Sequence, residues 1–405
     1  MCCLIFNILL LFVWANSCSN ALTVNVHCDE GVDSFCIVSD KLNINERVHF
    51  NFINADHWKY RRVFKISSDS RMALIPTGIF QQFPDLVRVY FPTGLKSVSK
   101  DDFEGASRLV ELNLEHNEIE SIVGDLFNNV KFLQSIFLSH NRINNIEASA
   151  FGELEDLNNL ELTNNSLTVI KRNVFADLNT LSVLKLDNNR IETIEDGALD
   201  LPGLKELFLT NNRIQTLSDR IFSRSTHLKS INFNGNQMRS IGQSLYNLAE
   251  LQRLHLDDNI IDDIDLDLLG RLPSLESIHL RNSGFKVSNV NSDLTANYNA
   301  VQFLDISKNR ITANDILRRL KNFRNLVNID LGQNDLTDID DIEQVWNLFT
   351  NIRHVSITKN KLTCDRVQQI YEATKKHSAF SIGIPMPRLP QIGIEEKNVL
   401  GVVCL

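Results

Sequence analysis

Two histidines 24 residues apart, His255 and His279, are the side chains best suited to chemistry in this sequence. Arg253, Asp257 and Arg281 lie close to them along the chain. Imidazoles titrate near neutrality and bind metals, so the pair could form a pH-sensitive patch or part of a metal site. Only two ligands align, however, and two ordinary surface histidines are the simpler interpretation. We therefore predict no metal ion and no cofactor.

Aspartates are concentrated in two runs. The first comprises Asp257, Asp258, Asp262, Asp263, Asp265 and Asp267, and the second comprises Asp335, Asp338, Asp340 and Asp341. Carboxylates are typical calcium ligands, but neither run has the D-x-D-x-D-G spacing of a calcium loop. We interpret both runs as solvated acidic edges.

The sequence lacks the motifs of common catalytic sites. It contains no glycine-rich phosphate loop, no H-E-x-x-H, no G-x-S-x-G and no paired catalytic cysteine and histidine. The formal charge of −9 is spread over interspersed acidic and basic residues, which argues against binding to nucleic acid or an anionic membrane. We predict a binding protein and not an enzyme.

The first 21 residues have the features of a secretory signal peptide. Residues 1–20 carry no charge, and the apolar run from Leu4 to Trp14 precedes small polar residues that end at Ala21. No later apolar stretch is long enough to cross a bilayer. We expect cleavage after Ala21 and a secreted, extracellular protein without a membrane span.

Removal of this peptide leaves four of the seven cysteines, two near each end: Cys28, Cys36, Cys364 and Cys404. Four cysteines allow three connectivities, and the shortest loops favour Cys28–Cys36 and Cys364–Cys404 in an oxidising compartment. Zinc is the weaker alternative, because Cys28 and Cys36 are too far apart for a zinc knuckle and no histidine pair completes the set.

A repeat of 23 or 24 residues organises the chain. Units open at Leu109, Leu133, Leu157, Leu181, Leu204, Leu228, Leu251 and Leu275, at Leu86 and less clearly Arg61 before them, and at Val301, Leu326 and Ile352 after them. Each follows the pattern L-x-x-L-x-L-x-x-N-x-L. Its asparagine recurs at Asn117, Asn141, Asn165, Asn189, Asn212, Asn236, Asn259, Asn309, Asn334 and Asn360. This is the leucine-rich repeat, and the period predicts about twelve or thirteen of them.

The pattern predicts an α/β fold: a leucine-rich-repeat solenoid, or horseshoe, with a parallel concave sheet and disulfide-bonded terminal caps. The leucines of each short strand point inward, and the asparagines form a ladder that satisfies backbone groups where the chain leaves the strand. Recurrent phenylalanines predict an aromatic spine in the core of the convex side: Phe103, Phe127, Phe151, Phe175 and Phe222.

We divide the chain into a signal peptide (1–21), an N-terminal cap (22–60), repeats (61–363) and a C-terminal cap (364–405). A disulfide-closed hairpin is expected between Thr23 and Phe52, and a helix from Cys364. Gly94 and Ser283 replace the ladder asparagine and predict local irregularity. Residues 287–300 predict a protruding loop or bend.

The residues between the leucines should form the concave face and determine what the protein binds. Their middle column runs through Tyr90, Asn113, Phe137, Glu161, Lys185, Phe208, Asn232, His255, His279, Asp305, Asp330 and Ser356. We predict seven partner-binding residues: Tyr90, Phe137, Phe208, Arg253, His255, His279 and Phe303. One or two of the aromatic residues could instead be tolerated surface residues. The sequon at Asn164 predicts a glycan.

The signal peptide, the Cys28/Cys36 cap, the 24-residue units and the closing N-K-L-T-C segment at residues 360–364 resemble secreted leucine-rich immune proteins of mosquitoes, the LRIM type in its short form. The resemblance implies a recognition factor of the haemolymph. Long members have extra cysteines and a coiled coil for pairing and for holding complement-like proteins, and this sequence has neither. An extracellular protein or microbial surface is the expected partner, in innate-immune recognition or scaffolding. The alternative is a matrix component or developmental signalling modulator.

Overall fold

A computed structural model describes residues 22–29, 35–53, 60–261, 264–286, 298, 300–375, 377, 380–383, 398–399 and 402–403. The predicted signal peptide, Cys404 and nearly all of the predicted loop at 287–300 lie outside the described residues. The chain divides into two compact units, Met1–Leu204 (unit 1) and Lys205–Leu405 (unit 2). No helix within the described ranges is long and apolar enough to cross a bilayer.

Unit 1 is built from short strands, with one helical turn at Ile79–Gln82 and a 3-10 helix at Lys100–Phe103. Its strands are β1 (Leu22–Val26), β2 (Phe35–Val38), β3 (Asn43–Ile44), β4 (Val48–Phe52), β5 (Val63–Ile66), β6 (Arg71–Met72), β7 (Arg88–Tyr90), β8 (Glu111–Asn113), β9 (Ser121–Ile122), β10 (Ser135–Phe137), β11 (Asn145–Ile146), β12 (Asn159–Glu161), β13 (Val169–Ile170), β14 (Val183–Lys185) and β15 (Thr193–Ile194). A parallel sheet runs in the order β2-β5-β7-β8-β10-β12-β14.

Unit 2 repeats this plan. Its strands are β16 (Glu206–Phe208), β17 (Ser230–Asn232), β18 (Arg253–His255), β19 (Ser277–His279), β20 (Phe303–Asp305), β21 (Asn328–Asp330), β22 (His354–Ser356), β23 (Ser381–Gly383), β24 (Asn398–Val399) and β25 (Val402–Val403). Its helices are Leu266–Gly270, Ile316–Arg319 and Cys364–Thr374, with 3-10 turns at Leu320–Asn322 and Ile342–Asn347. The strands from β16 to β23 pair in sequence order as a second run of parallel sheet.

The register of the parallel strands confirms the predicted inward and outward positions. Leu112 pairs with Ile136 and Ile136 with Leu160, and these central strand residues are fully buried. The residues on either side of them are half-buried or exposed, because successive side chains of a strand point to opposite faces. The fold is therefore the predicted leucine-rich-repeat solenoid with a parallel sheet.

The asparagine ladder forms within each unit. Asn141 Oδ1 accepts the Ile119 N–H of the preceding repeat at 3.1 Å, and its Nδ2 donates to the Leu114 carbonyl at 2.9 Å. In unit 2, Asn236 bonds Ile214 N–H at 3.1 Å and the Leu209 carbonyl at 2.9 Å in the same way. Each buried amide therefore satisfies the backbone of two successive coils.

The predicted phenylalanine spine is also present. Phe103, Phe127, Phe151 and Phe175 are buried in unit 1, with successive ring centroids 6.0, 5.6 and 6.1 Å apart. Phe222 is buried in unit 2. These centroid distances lie within the range of favourable aromatic pairs. The rings therefore stabilise the core on the side of each coil opposite the sheet.

The N-terminal cap contains the predicted Cys28–Cys36 disulfide, but the predicted hairpin is wrong. Strand β1 pairs in parallel with β4, and β2 pairs in parallel with β5 of the main sheet. The alternation of apolar and polar residues between Thr23 and Phe52 defines strands but not their partners. Residues 35–53 therefore stack on the first repeat as another coil of the solenoid.

The C-terminal cap begins with the predicted helix, Cys364–Thr374, which buries Val367 and Ile370. Thr363 caps its N-terminus by accepting the Arg366 N–H. Cys364 is disulfide-bonded. Its predicted partner, Cys404, lies outside the described residues.

The two repeats without a ladder asparagine are adjusted locally. Gly94 adopts a left-handed φ of 103°, which a residue with a β-carbon rarely adopts. At the other break, Ser283 Oγ donates to the Leu280 carbonyl at 2.7 Å, and Asn309 of the next repeat accepts the Ser283 N–H at 2.9 Å. Neighbouring polar groups thus compensate for the missing amide.

Candidate functional site

The strand face of unit 2, formed by the outward side chains of β16 to β23, brings His255 and His279 together as expected from their spacing. The two residues are paired in the sheet, and their rings stack with centroids 4.3 Å apart and an interplanar angle of 20°. Phe303, which pairs with Ser277 in the first column, places its ring centroid 4.8 Å from that of His279. Three rings from three consecutive repeats therefore form one stack.

Polar groups hold this stack from both sides. Ser277 Oγ lies 2.8 Å from His279 Nε2 on the same strand. Asp257 accepts the Arg281 backbone N–H at 2.8 Å, and the Asn234 side chain accepts the Asp257 N–H at 2.7 Å. These bonds link the turns that follow β17, β18 and β19 and so restrict the sheet edge beside the rings.

The environment of the histidines favours their neutral form. Burial, with smaller contributions from the nearby His279 and Arg253, lowers the pKa of His255 to about 4 against the attraction of Asp257. Burial also lowers the pKa of His279, against the attraction of Asp305. The stack is therefore uncharged at neutral pH. This environment does not favour the pH-sensitive patch near neutrality that the sequence offered as one alternative.

Asp257 shifts in the opposite direction. Burial raises the pKa of its carboxyl group, helped by repulsion from Asp305, although the Arg281 backbone bond lowers it. Both shifts have one physical cause, because removal of water disfavours the charged form of an acid and of a base. The centre of the unit 2 face is thus a partly desolvated region.

Four charged side chains on or beside this face form no ion pair within the part of the chain that the structure describes. Among the described residues, no ion pair within 4.0 Å is formed by Arg253, Arg281, Asp305 or Asp330. Asp305 and Asp330 are direct neighbours across the sheet, where like charges destabilise. A complementary partner could satisfy these groups.

Phe208 begins the same column at the other end of the unit 2 face. It pairs with Asn232, which pairs with His255. Its side chain is half-buried, like those of His255 and His279, and belongs to the strand face rather than to the core.

On the strand face of unit 1, the outward side chains of β5 to β14, the predicted aromatic residues have different surroundings. The Tyr90 hydroxyl donates to Glu111 Oε1 at 2.6 Å, and burial together with this bond raises the pKa of Tyr90 to about 12. Tyr90 is therefore held by a hydrogen bond within the protein and is not a free apolar anchor. Phe137 is half-buried and pairs with Asn113 and Glu161.

Ion pairs join neighbouring strands on the unit 1 face. Arg88 Nε lies 3.3 Å from Glu111, and Lys185 Nζ lies 2.8 Å from Glu161. Of the strand cations in the described part of unit 1, only the exposed Lys65 has no such partner. Most of the charge on this face is satisfied within the protein.

A second histidine stack was missed by sequence reasoning. His116 and His140 stack with centroids 4.3 Å apart and an interplanar angle of 12°. Both occupy the position before the ladder asparagine, where each has a φ of 58°. Asn164 holds the same position in the next repeat and lies 3.3 Å from His140 Nε2 through its Nδ2. The recurrence of this position was visible in the sequence.

The structure offers no metal site within its described ranges, since no group of three or more His, Cys, Asp or Glu side chains is arranged to hold an ion. Much of the second acidic run is paired with cations: Asp335 with Lys361, Asp338 with Arg366 and Asp341 with Arg318. In the first run, Asp262 and Asp263 lie outside the described residues. Asp265 caps the helix Leu266–Gly270.

The sequence model described as Leucine rich repeat matches five stretches of the chain, the overlapping residues 93–143, 107–165, 131–191 and 155–201 and the adjacent residues 202–261. No curated protein matches the sequence. The chain therefore contains leucine-rich repeats between residues 93 and 261, a range that covers part of the ladder and part of each strand face.

Solved structures share this fold. An internalin, InlF of Listeria monocytogenes, is 19% identical over 88% of this chain and 87% of its own, with a TM-score of 0.55. A chain of the TLR13–ssRNA13 complex has 19% identity and a TM-score of 0.59, covering 84% of this chain and 57% of its own. A chain of the Drosophila Toll–Spatzle complex has 19% identity and a TM-score of 0.52, covering 84% and 54%. This chain thus spans little more than half of the latter two, and the likeness at this identity is one of fold.

Proposed function

We propose that this protein is a secreted leucine-rich-repeat binding protein whose unit 2 face captures another extracellular macromolecule. The residues that carry binding in this proposal are Phe208, Arg253, His255, His279 and Phe303. The observation that supports it is the stack of three rings beside charged groups that have no ion-pair partner in the described protein.

Aromatic and arginine side chains contribute most to typical protein interfaces, especially where water is already partly excluded. The lowered pKa values of His255 and His279 indicate such exclusion. A partner would therefore cover rings that are already partly desolvated and would provide counter-charges for Arg253 and Asp305. The net charge of −9 favours a protein or a neutral surface over a polyanion.

Innate-immune recognition, or scaffolding of immune effectors, is the role we favour. It rests on the resemblance to short mosquito immune proteins and on fold neighbours that include Toll bound to Spatzle. A matrix or developmental signalling role is the alternative, since the Toll–Spatzle complex is a hub in both development and innate immunity. Secretion rests on the sequence features of residues 1–21. A glycan at Asn164 is compatible with this location.

A capture experiment tests the proposal. The purified protein, a His279→Ala/Phe303→Ser variant and a Phe137→Ser control would be immobilised at equal density and exposed to extracellular fluid, with and without microbial cells. We expect immune effectors or microbial surface material on the wild type and the control, and a strong loss on the double variant. Matrix or growth-factor partners would favour the alternative, and equal capture by all three proteins would contradict the proposal.

A further inference from the structure

A groove lies along the amino ends of the strands in unit 1, apart from the strand face. One wall consists of the residue after each repeat-opening position: Arg62, Val87 and Val110. The other consists of the residue before it: Arg108, Phe132 and Asp156. The groove encloses about 360 Å³. It is larger than a single water site and open enough for side chains of a partner.

The backbone sets the length of this groove. Val87 N–H donates to Arg62 O at 2.7 Å, and Val110 N–H donates to Val87 O at 2.8 Å, so each repeat advances the wall by one strand spacing. Four such steps separate Arg62 from Asp156, or about 19 Å. An extended chain of about six residues covers that distance.

The centre of the groove is apolar. Phe132 is 58% exposed, although large apolar side chains are usually covered in a folded protein. Val87 and Val110 are half-buried beside it. Together they form a site into which apolar side chains of a partner could pack.

The two ends carry opposite charges without ionic partners. Arg108 is neutralised by Asp85, whose carboxylate lies 2.6 Å away. Arg62 at one end and Asp156 at the other form no ion pair with any described residue. This pattern selects a ligand with an acidic group near Arg62 and a basic group near Asp156.

We propose that this groove is a second binding site, independent of the unit 2 face, for an extended peptide segment of another protein. The segment is acidic at one end, basic at the other and apolar between them. Recognition is by side chains, because the segment runs across the strands and the amides of Val87 and Val110 are already bonded within the sheet.

The proposal is tested with a capped, labelled six-residue peptide that carries aspartate at one end, lysine at the other and two leucines between them. We expect fluorescence anisotropy to show saturable binding to the wild type. Phe132→Ser should weaken it by at least about tenfold, as loss of an aromatic anchor does. Ile260→Ser removes a similarly exposed apolar side chain of unit 2, 52% exposed, and should leave binding unchanged.

Reversal of the charge at Arg62 tests the direction in which the peptide lies in the groove. Arg62→Glu should weaken binding of the aspartate-lysine peptide by about fivefold or more and restore binding to a peptide with lysine at both ends. Equal binding of a peptide with serines in place of the leucines would overturn the proposal. So would wild-type affinity of Phe132→Ser, an equal loss in Ile260→Ser, or an unchanged peptide preference of Arg62→Glu. None of these outcomes involves the unit 2 face.

Discussion

The strand faces of the two units come from the same repeat but differ in how their charges are satisfied. In unit 1, Arg88 and Lys185 each pair with a glutamate of the neighbouring strand. In unit 2, no charged residue of the face forms an ion pair with another described residue. Internally paired groups gain little from a partner, whereas unpaired groups gain counter-charges. The repeat determines the backbone of the surface. The side chains at the variable positions determine whether its charges are paired within the protein or remain available to a ligand.

The two histidine stacks also differ between the units, in how far their rings are exposed to solvent. Both have a centroid separation of 4.3 Å, because each pair occupies one column in adjacent repeats. His116 and His140 are exposed where the chain leaves the strands, whereas His255 and His279 are half-buried beside Phe303. Spacing thus determines the contact between rings, and burial lowers the pKa of His255 and His279.

The largest expected effect is on binding. Replacing His279→Ala and Phe303→Ser together should weaken capture of the extracellular partner by about 100-fold, since it removes two rings of the stack. Phe137→Ser in unit 1 should change capture by less than about threefold. Surface plasmon resonance with the captured partner measures both, and a larger loss for Phe137→Ser would reverse the comparison.

The second prediction concerns pH. Folding keeps His255 neutral with a pKa of about 4, whereas an unfolded histidine has a pKa of about 6.5. The unfolded state therefore binds more protons between these values, and the free energy of unfolding falls as pH drops from about 6.5 towards 4. His255→Phe keeps a ring and should lose the part of this dependence that His255 contributes, while the part from His279 remains. Urea unfolding at several pH values tests it, and parallel curves for wild type and variant would contradict the lowered pKa.

A smaller effect is expected at Tyr90. Tyr90→Phe removes a hydroxyl that donates to Glu111 and should lower the free energy of unfolding by about 1 kcal/mol. The tyrosinate absorbance of the wild type should include a component with a pKa of about 12 that the variant lacks. If both proteins titrate identically, Tyr90 is not tied to Glu111 and the unit 1 face is freer than the structure indicates.

The smallest effect is expected at the ion pair between Lys185 and Glu161. Lys185→Ala should lower the free energy of unfolding by about 0.5 kcal/mol, because the lysine side chain is 37% exposed and solvent screens the pair. Arg253→Ala in unit 2 removes no ion pair with a described residue and should leave stability unchanged while reducing capture. Thermal unfolding distinguishes the two variants.

Much of this architecture was predictable because the repeat imposes it. The inward leucines, the ladder asparagines and the phenylalanine spine recur at fixed offsets, and the column from Phe208 to His279 follows from the period alone. The parallel pairing of β1 with β4 was not predictable, since alternation identifies strands without their partners. The Tyr90–Glu111 hydrogen bond and the lowered pKa of His255 depend on side-chain direction and local burial, and the aligned repeat positions do not specify either.

Photo-crosslinking at two matched positions tests the central claim most directly. Asn113 in unit 1 and Asn232 in unit 2 occupy the third position of their strands, and each side chain accepts the backbone N–H two residues later at 3.0 Å. A photoreactive phenylalanine analogue would replace each asparagine separately, and the proteins would be irradiated with the captured partner. We predict a crosslinked product at position 232 and little at position 113. Equal crosslinking at both positions, or crosslinking at 113 alone, would contradict binding through the unit 2 face.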